Sequence, residues 1–93
     1  MNEQEGREVL YQHLREYRGR PYEALVALLG QPQLAEVAGP SGTNYQLEVQ
    51  VFWDGPRHGN VRVLCSIDDG GLRAFVPLTD SFIMAPSGVF IGE

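Results

Sequence analysis

The run Tyr45-Gln46-Leu47-Glu48-Val49-Gln50-Val51-Phe52-Trp53 puts an apolar residue at every odd position, with polar Gln46, Glu48 and Gln50 between them. Successive side chains of a strand leave on opposite faces, so this run is a strand with one dry and one wet side. Val61-Arg62-Val63-Leu64-Cys65-Ser66-Ile67-Asp68 repeats the alternation. Two such runs joined by a polar loop predict an antiparallel sheet covered on one face. No other feature narrows the fold class as far, and none of it names a chemistry.

The N-terminal part has a different period. Val9, Leu10, His13, Leu14 and Tyr17 fall on one stripe at 100° per residue, which predicts a helix over 3–18 ended by Gly19. Pro21 suits the first turn of a second helix, predicted over 21–29 and stopped by Gly30 and Pro32. Strands are predicted over 33–38, 43–53, 60–68 and 72–77, with Asp69-Gly70 as a tight hairpin turn. The apolar segment 82–91, broken by Pro86-Ser87-Gly88, is expected to pack back on the domain. Helices followed by strands indicate a two-layer α+β domain. A helical hairpin is expected to cover the odd-numbered face of a three- or four-stranded meander.

At 93 residues this is one domain. The apolar share of 43% argues against disorder. A net charge of −5, carried against seven Arg and no Lys, disfavours nucleic acid and anionic membranes as partners. The single Cys65 permits no internal disulfide and sits on the dry face as a small hydrophobe. No leader peptide or membrane-length apolar run is seen, so a soluble cytoplasmic protein is the expectation.

Four surfaces are candidates for chemistry. Arg7, Tyr11, Arg15 and Arg18 share the helix face opposite the apolar stripe, with Arg20 just beyond. Guanidinium groups beside a tyrosine suit an acidic partner or a phosphate, and equally make an ordinary solvated face. Asp54 and His58, near Trp53, Arg57 and Asn60, have the types of an acid–base pair, but no nucleophile accompanies them. Asp68, Asp69 and Asp80 lack the spacing of a calcium loop, and His13 has no second ligand, so no metal and no cofactor is expected. Phe52, Leu64 and Phe75 have the parity of the wet face, where three large apolar residues form a patch unless the C-terminal segment covers them.

The order of two helices and then a sheet, with Leu29-Gly30-Gln31-Pro32 between, resembles small outer-membrane assembly lipoproteins, in which a Leu-Gly-x-Pro turn joins the second helix to the first strand. The resemblance covers that tetrapeptide and the layout. The lipidated N-terminal Cys of those proteins has no counterpart here. The leading expectation is a non-enzymatic interaction module that uses the Phe52, Leu64 and Phe75 face, or a sheet edge, to bind a protein partner or form a homodimer. Arg7, Tyr11, Arg15 and Arg18 would add polar contacts. The alternative is a small-molecule pocket between helices and sheet, walled by Tyr17, Tyr22, Trp53 and His58.

Overall fold

The computed structural model describes residues 2–71 and 77–93. Helix α1, Glu3–Arg18, begins where the Asn2 side chain accepts a hydrogen bond from the Glu5 N–H at 3.1 Å. Glu3 and Glu5 lie in its first turn and Arg15 and Arg18 in its last, each sign at the helix end whose dipole it complements. Gly6, Leu10, Leu14 and Tyr17 form its buried stripe, with Val9 and His13 half-buried on one flank.

Helix α2 is shorter than the sequence predicts. It spans Tyr22–Val26 and starts after Pro21. The Leu28 and Leu29 N–H groups bond three residues back, to Leu25 and Val26, which tightens the last turn. Leu29 then bridges Val51 of the sheet, and Gly30 turns the chain at φ 71°. The sheet edge therefore takes the residue that would have extended the helix. Helix α1 packs on the third and fourth strands, and α2 on the second and third.

The sheet is an antiparallel meander of β1 (Gln33–Ala38), β2 (Asn44–Trp53), β3 (Val61–Asp68) and β4 (Leu78–Met84), in that order. Its register sets Val49 opposite Cys65, Val51 opposite Val63, and Val63 opposite Phe82. The strand expected over 72–77 falls mainly on residues outside those described. The last strand lies further on, and 82–84, expected in the returning tail, belong to it. Asp80 has inward parity but is exposed, and this polar residue breaks the alternation that would have announced β4. The chain does return after it: Phe90 bridges Met84, and the Ile91 N–H donates to the Ile83 carbonyl at 2.9 Å.

The core joins the helix stripe and Leu25 to Tyr45, Leu47, Val49, Val51, Val61, Val63, Cys65, Ile67, Leu78, Phe82 and Met84. Two polar devices anchor its rim. Glu5 accepts from the Tyr45 hydroxyl at 2.7 Å, and from the Ser41 hydroxyl and N–H at 2.7 and 2.9 Å, tying the start of α1 to the β1–β2 loop. These bonds hold the Glu5 carboxyl below the ordinary value, the Tyr45 bond contributing most. Arg18 lies 4.1 Å over the Phe90 ring and forks onto Glu93 at 2.7 and 2.6 Å, tying the end of α1 to the tail.

Burial, with a smaller push from Asp80, raises the Cys65 thiol from 9.0 to about 12. Burial, then the Glu5 bond, raises the Tyr45 phenol from 10.0 to about 12. Both groups are protonated in the folded chain where the unfolded chain ionises. Their stability contribution is complete below pH 9 and declines as pH rises from there through about 12. Chemical denaturation at pH 8 and pH 10.5 should show lower stability at the higher pH. Cys65 should also resist a thiol reagent at pH 8 until the chain is unfolded. Fast labelling of the native protein would contradict its burial.

Candidate functional site

The second face of the sheet is the candidate. Even positions of β1, β2 and β3 and odd positions of β4 point to it, because period-two alternation sends their neighbours into the core. Beyond the Ala38–Asn44 pair, which ends the β1–β2 ladder, the register arranges it in four rows. Glu36, Gln46 and Asp68 form one end, followed by Leu34, Glu48, Ser66 and Thr79. Gln50, Leu64 and Ser81 come next, and Phe52, Arg62 and Ile83 form the other end.

This face is chemically graded. Phe52, Leu64 and Ile83 cluster at one end around the stem of Arg62, and Ile83 takes there the place that the sequence pattern assigns to Phe75. Phe75 itself lies outside the described residues. Phe52 is 39% exposed and Leu34, toward the other end, 78%. Diagonal neighbours across strands lie within reach of large side chains, so Phe52 and Ile83 each approach Leu64. The Arg62 guanidinium is occupied: it donates to Asp54 at 3.1 Å and to the Ser81 hydroxyl at 2.9 Å. The Arg62–Asp54 pair is about one-third exposed on each side, so it orients the arginine more than it stabilises the fold.

The returning tail does not cover this face. Phe90 packs edge-on against Phe82, whose side chain points into the core, with ring centroids 5.6 Å apart. Among the described residues no second layer lies on the even-numbered side.

The other candidates named from the sequence are placed differently. Asp54 binds Arg62, while His58 sits against the Trp53 ring at 5.6 Å with φ 68°. Among the described residues no hydrogen bond joins Asp54 to His58, so the acid–base pair is not assembled. The structure places Tyr17, Tyr22, Trp53 and His58, the expected pocket walls, in different settings. Tyr17 is a core residue, 5% exposed, with Arg20 stacked 4.2 Å over its ring. Tyr22 donates its hydroxyl to the Gly59 carbonyl at 2.7 Å, pinning the β2–β3 loop. Trp53 instead borders a shallow groove with Leu29, Pro32 and Phe52.

The arginine row of α1 is divided. Arg18 is taken by Glu93 and Phe90, and Arg20 by Glu16 at 2.6 Å. Arg7 and Arg15 remain exposed beside Tyr11, which is 55% exposed. A wide groove of about 920 Å³ surrounds the start of α1. Its lining includes both Val9 and Tyr11, which are on opposite sides of the helix, so it is an open contour and not one cavity.

Asp68 and Asp69 accept from the Gly70 and Gly71 N–H groups at 2.8 and 3.0 Å, as turn formers do. Among the described residues no three His, Cys, Asp or Glu converge as metal ligands. The His13 Nε2 is buried and has no hydrogen-bond partner among the described residues, and its ring lies 5.7 Å from Tyr17. Replacing it by an apolar residue removes an unsatisfied polar atom, so His13→Leu should raise stability by about 1 kcal/mol in urea unfolding. A loss of that size would mean that the imidazole makes a favourable interaction.

No helix among the described residues is long and apolar enough to cross a membrane. Comparison with protein-family models, with curated proteins and with solved structures returns no match for this chain.

Proposed function

We propose that this chain is a non-enzymatic interaction module whose binding surface is the open face of the sheet, centred on Phe52, Leu64 and Ile83. The observation that carries the reading is the pairing register, which groups these three apolar residues on the face that no described segment covers. A sheet with one face packed and the other carrying a coherent apolar cluster buries that cluster best against another polypeptide. Tyr11, Arg7 and Arg15 on α1 are a separate polar surface and are secondary in this reading.

The test is a pair of strand-compatible substitutions, Phe52→Thr with Ile83→Thr, compared with Tyr11→Ala and Arg15→Ala on α1. Solution mass and pull-down from cells are measured for each, with circular dichroism as the check on folding. The sheet-face variant should lose association while keeping its fold, and the helix variant should keep both. Unchanged association in the sheet-face variant would remove the proposal.

A further inference from the structure

We infer that the open face receives a cationic amphipathic helix of a protein partner, with its apolar stripe on Phe52, Leu64 and Ile83 and its basic residues over Glu36, Glu48 and Asp68. This rests on the reading of the open face as the binding surface. The three carboxylates occupy the end of the face away from the apolar cluster. Among the described residues each is engaged by neutral donors: Glu36 by Gln46 at 3.2 Å, Glu48 by Gln50 at 3.0 Å, and Asp68 by the Gly70 N–H at 2.8 Å. Arg62, the described cation of the face, is committed to Asp54 and Ser81. Among the described residues the face therefore presents apolar surface beside carboxylates that no cation meets.

A second copy of the chain fits this surface poorly. If two copies meet face to face about an axis along the strands, carboxylates oppose carboxylates. If the axis runs across the strands, the carboxylates of one copy lie on Phe52 and Ile83 of the other and lose their water. Both arrangements cost free energy, and among the described residues neither brings a free cation to the acids. A partner with apolar residues and Lys or Arg satisfies both ends at once.

The dimensions suit a helix. The first and last of these rows lie six residues apart along the strands, about 20 Å, which about 14 helical residues match. The distance from β2 to β4 is about 10 Å, the diameter of a helix with its side chains.

The probe is a synthetic helical peptide of about 15 residues. It has Leu at i, i+3, i+4 and i+7, flanked by Arg. One control carries Glu in place of Arg, and another has the same composition in scrambled order. Binding to the full chain is measured by calorimetry at low and at physiological salt. The striped basic peptide should bind, weaken with salt, and bind roughly tenfold more weakly to the Glu36→Gln, Glu48→Gln, Asp68→Asn variant. The acidic peptide should not bind, and the scrambled one should be weaker by a similar factor.

Equal affinity for the charge-neutralised variant, equal binding of the scrambled peptide, or no binding at all overturns the inference about partner chemistry. If the peptides fail while the chain dimerises through Phe52 and Ile83, the binding face stands and the partner is a second copy. If the striped peptide binds the Phe52→Thr, Ile83→Thr variant as well as the unaltered chain, the binding-face reading itself fails.

Discussion

Replacing Phe82 by alanine is expected to lower the unfolding free energy by about 4 kcal/mol, a large part of the total stability of a domain this size. Phe82 is 3% exposed and stands opposite Val63 in the sheet. Its ring also meets Phe90 edge-on, and the Arg18 guanidinium lies 5.4 Å above it. Truncation leaves a cavity beneath α1 and withdraws the surface on which the tail is seated. The midpoint of thermal unfolding should fall by about 20 °C. The neighbouring Ile83 points to the open face, so Ile83→Thr should cost about 1 kcal/mol, with the contrast set by alternation. Urea unfolding of the two variants checks the difference. Similar losses in both would mean that strand β4 is not oriented as described.

Gly39→Ala is expected to destabilise the chain by about 2 kcal/mol through crowding. A methyl group there would come within 2.8 Å of both the Glu5 Oε1 atom and the Tyr45 ring. Glu5 can swing away, but only by giving up its bonds to Tyr45 and Ser41. Tyr45 is fully buried and has nowhere to move. Adding Glu5→Ala to Gly39→Ala should therefore cost less than the sum of the two single changes, because one contact is counted in both. Strict additivity in a double-mutant cycle would show that Gly39 and Glu5 do not share this site. The same bonds give the acid limb of stability its sign. Glu5 is held below its ordinary value by Tyr45, and Glu93 by Arg18. Their contributions are present above about pH 4.5 and fade as pH falls below it.

Much of the architecture is legible from period alone. The 3.6-residue stripe of Leu10, Leu14 and Tyr17 and the alternation of β2 and β3 depend on local geometry, which a single sequence displays. The parity of Phe52 and Leu64 follows from the same rule. Three things are not legible. The length of α2 is decided where Leu29 joins Val51, a contact with a strand more than twenty residues away. Strand β4 is hidden by Asp80, whose exposed position at an inward parity breaks the alternation. The complete burial of Tyr45 goes beyond its inward parity, because its hydroxyl needs the Glu5 carboxylate of a distant helix as partner.

The candidate site divides in the same way. Which side of each strand is wet is a property of the chain itself, since successive side chains must leave on opposite faces. Which wet-side residues become neighbours is a property of register, and register is set by turns and by the packing of the opposite face. Composition and period alone specify an acidic α+β domain with an amphipathic sheet and an inward-facing Cys65. Tertiary packing is what brings Ile83 to Phe52 and Leu64 around Arg62 and draws Phe90 to Arg18 and Phe82, so that among the described residues the tail leaves that cluster uncovered.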